Sequence, residues 1–270
     1  MTLAYDRVGS GAPLVLLHGV GHRRQAWSPI VGLLRDRREL IMVDLPGHGE
    51  SPPFEPNGRE PVQAMAEDVV AFFDELGLER PHVAGNSLGG TLALIAGSWG
   101  RATTVTGVSP AGFWVNRRQF SYAKAIFKIM EVTGQALEGS APRLVRYRAG
   151  RALMFGAVMS RPSRLSPEQA AGDARAFAAA RAAINAIIDT PRWFTEVIPD
   201  QVPVTIAWGT KDRLLRPSQA AVAQRQLPQA RFLSLPGCGH VPMTDDPALV
   251  AQILLAGSTL PATAGQPGER

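Results

Sequence analysis

Short apolar runs alternate with amphipathic segments along most of the 270-residue chain. Continuous apolar runs are typical of strands buried on both faces, whereas apolar positions spaced by three and four residues predict helices. The pattern predicts strands at 3–8, 13–18, 40–43, immediately before Gly85, and at 103–109, 202–208 and 230–235, with helices at 27–34, 62–76, 88–99, 217–227 and 246–256. Because strands and helices alternate, we expect an α/β fold with a mostly parallel central sheet and helices on both faces.

The alternation stops between residues 113 and 200, where helical patterns continue without a clear strand. The alanine-rich run at 169–187 is the strongest helix predicted there. We therefore predict a core formed by 1–112 and 201–257, into which 113–200 is inserted as a helical cap. The composition of 258–270 favours a disordered tail.

The segment Gly85-Asn86-Ser87-Leu88-Gly89 joins an apolar run to an Ala/Leu-rich helical pattern. A Gly-x-Ser-x-Gly sequence between a strand and a helix predicts a nucleophile elbow, a sharp turn that exposes one serine hydroxyl. Glycines are needed on both sides because a Cβ there would collide with neighbouring backbone. The helix N-terminus also directs N–H groups to the place where negative charge develops on an attacked carbonyl.

A serine hydroxyl becomes a good nucleophile only with a base within hydrogen-bonding distance, and the base needs a third group that fixes its tautomer. His240 lies in a Gly-rich loop after the last predicted strand, and Asp212 follows the preceding strand. Ligand sites in parallel sheets gather at the carboxyl ends of the strands. We expect Ser87 to be the nucleophile, His240 the base and Asp212 the group that orients it; Asp44 and Asp68 are the alternative candidates for that third group.

Five stretches, in this order and spacing, resemble cap-bearing proteins of the α/β-hydrolase fold. They are Leu16-Leu17-His18-Gly19-Val20, Asp44-Leu45-Pro46-Gly47-His48-Gly49-Glu50-Ser51, Gly85-Asn86-Ser87-Leu88-Gly89-Gly90, Gly209-Thr210-Lys211-Asp212 and Gly237-Cys238-Gly239-His240. The order Ser, Asp, His is the order of that fold. The resemblance implies that the backbone N–H groups of Val20 and Leu88 form the oxyanion hole, and that the cap shapes the substrate pocket. Haloalkane dehalogenases and epoxide hydrolases differ, because they carry Asp where this chain has Ser87.

Residues near these stretches are further candidates. Phe113 and Trp114 stand at the entrance to the cap and are candidates for lining the substrate pocket. His22 lies close to the expected oxyanion loop, so it either touches substrate or is a solvated loop histidine. His18 and Asp44 are expected to hold their loops through hydrogen bonds.

The charge is unevenly distributed. The chain carries 28 Lys+Arg and 23 Asp+Glu, and residues 113–200 hold 13 basic and 7 acidic side chains, a net charge of +6 (13 − 7). An arginine-rich, solvated helical surface is one interpretation; a segment that faces an anionic substrate, an acidic partner or a membrane surface is the other. Because the basic residues are not interleaved with aromatics, we do not expect nucleic-acid binding.

No cofactor is expected. The five histidines are scattered, the single cysteine is Cys238, and phosphate-loop and dinucleotide motifs are absent from the sequence. Cys238 is expected to be buried and unreactive, since no neighbour in sequence would lower its pKa. One cysteine, the lack of a signal-like N-terminus and the lack of an apolar run that could span a membrane favour a cytoplasmic protein. The sequence does not determine the oligomeric state.

The sequence therefore predicts a cofactor-free serine hydrolase that acts on a small-molecule acyl compound such as a carboxylic ester. Two alternatives remain. The same residues could hydrolyse a C–C bond in a diketone or ring-cleavage product. From another class, a non-catalytic receptor could keep the fold and use the pocket only for binding.

Overall fold

The computed structural model describes residues 2–137 and 139–260. Seven strands form one sheet in the order β1-β3-β2-β4-β5-β6-β7. They are β1 (Tyr5–Gly9), β2 (Pro13–Leu17), β3 (Glu39–Val43), β4 (His82–Asn86), β5 (Thr104–Val108), β6 (Val204–Gly209) and β7 (Arg231–Leu235). All neighbouring pairs are parallel except β1 with β3, so the predicted mostly parallel α/β sheet is confirmed.

The first strand lies at the edge of the sheet. Although a short turn joins β1 to β2, β1 pairs with β3, with Tyr5 opposite Val43 and Gly9 opposite Glu39. β2 is not available as a partner because β3 and β4 occupy its two sides. Nearness in sequence therefore does not set the pairing of this strand.

Helices cover both faces of the sheet. They are α1 (Ser28–Leu34), α2 (Pro61–Glu75), α3 (Leu88–Ser98), α4 (Arg117–Leu137), α5 (Ala141–Leu144), α6 (Arg148–Phe155), α7 (Pro167–Ala179), α8 (Arg181–Ile188), α9 (Ser218–Gln226), α10 (Pro242–Asp245) and α11 (Pro247–Gly257). One buried cluster packs α2 and α3 against the sheet, and a second packs α1 and α11 against the other face. Burial of apolar side chains on both faces is the main stabilising term of such a fold.

Five consecutive helices, α4 to α8, separate β5 from β6. We call them the cap helices. Glycine at position 21, in the loop after β2, lets a cap helix approach closely, because a Cβ there would lie 2.6 Å from a ring carbon of Phe177. The cap helices thus pack directly on the loops at the carboxyl ends of the strands.

The chain end differs from its prediction over the residues that the structure describes. Ser258 is buried, and its carbonyl accepts a hydrogen bond from Arg38 Nη2 at 2.7 Å. Ser258 and Thr259 are therefore held to the core by hydrogen bonds from Arg38, whereas Leu260 is 54% exposed and residues 261–270 lie outside the described residues. In the described part of the chain, no helix combines the length and the hydropathy that crossing a bilayer requires.

Candidate active site

Ser87 occupies a strained turn between β4 and α3. Its backbone has φ 55° and ψ −118°, a conformation that residues other than glycine rarely adopt. The flanking glycines leave room for this turn: a Cβ on Gly85 would lie 2.1 Å from the Gly89 carbonyl oxygen, and a Cβ on Gly89 would lie 2.1 Å from that of Leu17. Strain of this kind costs about 1–3 kcal/mol and persists only where the surroundings enforce it.

His240 and Asp212 form a buried pair. His240 Nδ1 lies 2.8 Å from Asp212 Oδ2, and both side chains are almost fully buried. The other carboxylate oxygen, Oδ1, accepts the N–H groups of Leu214 at 3.0 Å and Leu215 at 2.8 Å. Because Asp212 holds a proton on Nδ1, Nε2 of His240 is the nitrogen that can act as a base.

Asn86 connects the elbow to the His240 loop. Its Nδ2 donates to the Val108 carbonyl at 3.0 Å and to the His240 carbonyl at 2.9 Å. Sequence reasoning did not assign this residue a role, since the second position of Gly-x-Ser-x-Gly is variable in the motif. Asn86 therefore fixes the backbone of His240 relative to Ser87.

Val20 lies in a tight turn beside Ser87. The His22 N–H donates to the Gly19 carbonyl at 3.1 Å, and Gly21 has φ 75°, the arrangement of a type II turn. A Cβ on Gly19 would lie 3.2 Å from Ser87 Cβ, so the turn contacts the elbow directly. On the other side of Ser87, Leu88 is the first residue of α3, and N–H groups in a first turn lack an intrahelical acceptor.

Two buried histidines hold this turn. The Gly21 N–H donates to His48 Nε2 at 2.9 Å, and the Leu45 N–H donates to His18 Nε2 at 3.0 Å. Each ring then donates through Nδ1 to a backbone carbonyl, of Pro46 and Gly19 respectively. The expected structural role of His18 is thereby accounted for.

Burial lowers the pKa of both rings. The pKa of His48 falls to about 4, and that of His18 falls well below its usual value, because burial disfavours the cation. The neighbouring histidine ring lowers the pKa of His18 further. Both histidines are therefore neutral near pH 7 and can accept the N–H groups named above.

Asp44 closes the loop that carries His48. Its carboxylate accepts the backbone N–H groups of Arg24 at 2.6 Å and Glu50 at 3.0 Å, and it forms an ion pair with the Arg24 guanidinium. Glycine is required at position 49, because a Cβ there would overlap the Asp44 carboxylate at 2.1 Å. Asp44 thus has the loop-holding role expected from the sequence.

A cavity of about 670 Å³ extends from Ser87 and His240 into the cap helices. Its wall is mostly apolar, with contributions from α4, α5, α6 and α7 that include Ile126, Phe127, Met130, Leu153, Met154 and Phe177. His22 lines this cavity, as does the turn at Val20. The volume and the apolar wall are typical of small-molecule sites.

A second cavity of about 70 Å³ is also lined by Ser87. Val20, Phe127 and Leu214 border both cavities, and Trp114 lines the smaller one. Phe113 lines neither cavity, contrary to the expectation that it lines the substrate pocket. Its fully buried ring packs on Phe194 with centroids 5.2 Å apart, as part of the core.

Other polar groups near the site have structural partners. Cys238 is buried, and burial raises its pKa to about 11, an effect that Asp245 and Asp246 increase. Asp245 accepts the N–H groups of Gly239 at 2.7 Å and Ser160 at 3.0 Å, which attaches the His240 loop to the cap. Among the described residues, no group of three His, Cys, Asp or Glu side chains is placed to hold a metal ion.

Comparison with known proteins agrees with this geometry. Residues 14–253 match the model of the Alpha/beta hydrolase family. The chain belongs to this family. Membership supports hydrolase activity.

The relatives of this chain include a lipase and a component of an acetoin cleaving system. The chain is 27% identical over 252 residues to Lipase 3 of Moraxella sp., covering 87% of this chain and 74% of that protein. It is 29% identical over 259 residues to the dihydrolipoyllysine-residue acetyltransferase component of the acetoin cleaving system of Pseudomonas putida. That match covers 91% of this chain but only 63% of the component, so the chain spans less than two thirds of this relative.

Solved structures share the fold. A thermophilic esterase from Thermogutta terrifontis superposes with a TM-score of 0.69 at 23% identity, over 94% of this chain and 92% of the esterase. At this level of identity the similarity concerns the fold alone.

Proposed function

We propose that this α/β hydrolase is a serine hydrolase that cleaves carboxylic esters through an acyl-enzyme on Ser87. His240 Nε2 takes the Ser87 proton as Oγ attacks the ester carbonyl carbon. The N–H groups of Val20 and Leu88 stabilise the resulting oxyanion. The His240 imidazolium, held by Asp212, then gives its proton to the departing alkoxide, and the C–O bond breaks.

Water completes the cycle. His240 removes a proton from a water molecule that attacks the acyl carbon, and collapse of the second tetrahedral intermediate returns that proton to Ser87 Oγ. The products are the carboxylic acid and the alcohol, and the enzyme is regenerated. Apart from the ester and water, this chemistry uses only side chains and backbone groups described above.

One observation carries the proposal: the strained Ser87 and the base His240 border the same cavity, and the base is oriented by Asp212. Strained backbone at non-glycine residues clusters at active sites, which supports a functional role for Ser87. Lipase 3 of Moraxella sp. is a relative over most of the chain, which supports ester hydrolysis.

The shapes of the cavities support a particular kind of ester. The larger cavity has room for a long apolar arm, and the smaller one has room for a short group. Since a buried water needs about 10–15 Å³ of such space, the smaller cavity suits a group of a few heavy atoms. We propose an ester with one long apolar arm and one short group.

The test is a substrate panel with Ser87→Ala as the control. We expect p-nitrophenyl esters to be hydrolysed and the variant to lose activity by at least about a thousandfold. Lactones and diketones belong in the same panel. Turnover of diketones without turnover of any ester would replace ester cleavage by C–C bond hydrolysis, and binding without turnover would favour a receptor.

A further inference from the structure

Among the described residues, nine large apolar side chains are exposed, and four of them lie on α4, on α6 or directly before α6. Ile129 on α4 is 59% exposed and Leu153 on α6 is 66% exposed, and both also line the cavity. Side chains that are at once exposed and part of the wall mark the opening. Val132 lies one helical turn beyond Ile129 and is 65% exposed, and Tyr147 precedes α6 and is 70% exposed. Large apolar side chains grouped around a cavity opening indicate an interaction surface.

The outer face of α4 is mainly apolar over its second half, whereas its first turns expose Arg117, Arg118 and Ser121. Ala125, Ile129, Val132 and Ala136 are exposed at helical spacing, while Phe127 points to the core. The acidic residue on this helix is already neutralised, because Glu131 forms ion pairs with Lys128 and Arg181. A soluble helix normally presents polar residues to water, so this face needs an apolar partner.

The segment that follows α4 in the sequence is strongly basic. Residues 139–165 contain six arginines and no Asp or Glu. Three of the arginines have internal partners: Arg151 donates to the Val145 carbonyl at 2.6 Å, and Arg161 and Arg164 donate to the Asp245 carbonyl. The other three, Arg143, Arg146 and Arg148, are exposed, and none of them forms an ion pair within the described residues.

We propose that this mouth surface, formed by Ile129, Val132, Tyr147, Leu153, Arg143, Arg146 and Arg148, binds an anionic lipid–water interface. Apolar side chains that enter the acyl region, combined with arginines that contact anionic head groups, are the two contributions known to hold a protein on such a surface. The opening of the larger cavity then faces the lipid, and an apolar substrate reaches Ser87 without crossing water.

Two other occupants fit the surface less well. In a two-fold dimer the same patch faces itself, which would bring the arginines of both copies together. A nucleic acid would match the charge but not the aliphatic side chains, since such sites combine basic residues with aromatic stacking. An anionic lipid surface satisfies both the charge and the apolar groups.

Vesicle binding tests the proposal with the whole chain carrying Ser87→Ala, so that lipid hydrolysis cannot interfere. We expect co-sedimentation with vesicles of mixed phosphatidylglycerol and phosphatidylcholine, and much weaker binding to phosphatidylcholine alone. The affinity should fall as salt rises from about 0.1 M to about 1 M, because the Debye length shortens from about 10 Å to about 3 Å. Absence of binding to the anionic vesicles would overturn the proposal.

Paired variants separate the two contributions. Arg143→Gln/Arg146→Gln/Arg148→Gln should weaken binding by about 100-fold, since each arginine near an anionic surface contributes about fivefold. The matched control, Arg35→Gln/Arg37→Gln/Arg225→Gln, removes three exposed arginines of the core and should change binding by less than about twofold. Equal losses in both triple variants would show only an effect of net charge and contradict the proposal.

The apolar contribution has its own pair. Val132→Gln/Tyr147→Gln should weaken binding by at least about tenfold, whereas Leu33→Gln, at an exposed apolar position on α1, should not. If Val132→Gln/Tyr147→Gln bound the anionic vesicles with unchanged affinity, the protein would adsorb by charge alone, and the proposal would be overturned. Val132 and Tyr147 do not line the cavity, so hydrolysis of a water-soluble ester should be unchanged. Loss of vesicle binding is thus distinguishable from failure of the proposed esterase activity.

Discussion

Ser87 combines two properties that can be separated by substitution: a reactive hydroxyl and a strained backbone. Ser87→Ala and Ser87→Gly should both abolish esterase activity. Glycine adopts φ 55° without strain. The free energy of unfolding of Ser87→Gly should therefore be about 1 kcal/mol larger than that of Ser87→Ala, so the glycine variant is the more stable one. Urea denaturation of the two variants measures the difference. If alanine were the more stable variant, the backbone strain assigned to this turn would be wrong.

Asp212 contributes through the tautomer of His240. In Asp212→Asn, the amide oxygen can still accept the Leu214 and Leu215 N–H groups, while its NH2 group faces His240 Nδ1. That contact favours the proton on Nε2, which can then no longer act as a base. We expect kcat to fall by about 10³- to 10⁴-fold with little change in the melting temperature. A variant that unfolded, or one that retained kcat, would contradict this assignment.

Cys238 should be inert in the native protein. Burial and the nearby Asp245 raise the pKa of its thiol to about 11, so the reactive thiolate is scarce near pH 7 and cannot easily be reached. Iodoacetamide followed by intact mass measurement should show no adduct in native protein and one adduct per chain in urea. Rapid labelling under native conditions would show that this loop opens.

At the scale of loops and helices, the turn that holds Val20 depends on a neutral His48. The pKa of His48 is about 4 in the folded protein and about 6.5 in an unfolded chain, so the unfolded state binds more protons between these values. The contribution of His48 to the free energy of unfolding is therefore fully present above about pH 6.5, and it is lost as the pH falls toward 4. As the pH falls from about 7.5 to about 5.5, protonation of His48 in the unfolded chain should lower the free energy of unfolding by about 1 kcal/mol.

Urea unfolding of wild type and His48→Gln across this range measures the effect. The variant should be less stable near pH 7.5, because the hydrogen bonds to Gly21 and Pro46 change, but its stability should depend less on pH. An identical pH dependence in the two proteins would exclude His48 as its source.

The cap helices are expected to set the length of the substrate. Ala174 on α7 lines the larger cavity, and a phenyl group there would occupy space that a long acyl or alkyl chain needs. In Ala174→Phe, kcat/KM should fall by about 10- to 100-fold for p-nitrophenyl decanoate but little for the acetate. Ala182→Phe, at an exposed position on α8 outside the cavity, is the control. Equal losses in kcat/KM for both esters would mean that the acyl chain of the substrate does not lie beside Ala174.

At the scale of the whole molecule, most of the core could be predicted because its apolar runs are continuous and its motifs are local. Each predicted triad residue follows a strand, and parallel strands bring their ends together whatever the intervening sequence. The pairing of β1 with β3 could not be predicted, since it depends on which strand has an unoccupied side. The burial of Ser258 likewise depends on contact with the distant Arg38.

The lining of the cavities could not be predicted from the sequence, because it too depends on contacts between residues that are distant in the chain. Apolar residues on α4 occur on both its inner and outer faces, such as Phe127 inside and Val132 outside, and periodicity alone cannot say which face meets the core. Phe113 shows the same ambiguity, because an aromatic residue at the cap entrance can pack on Phe194 as well as on a substrate. Asn86 acts through backbone carbonyls that come together only in the folded chain.

The central claim is that Ser87 is a nucleophile activated by His240, and covalent labelling tests it most directly. A fluorophosphonate probe should add to native protein in a one-to-one ratio, and peptide mapping by mass spectrometry should place the adduct on Ser87. His240→Ala should react at least about a hundredfold more slowly, because the base is missing. An unlabelled Ser87 in folded wild-type protein, or equal rates with and without His240, would contradict the mechanism.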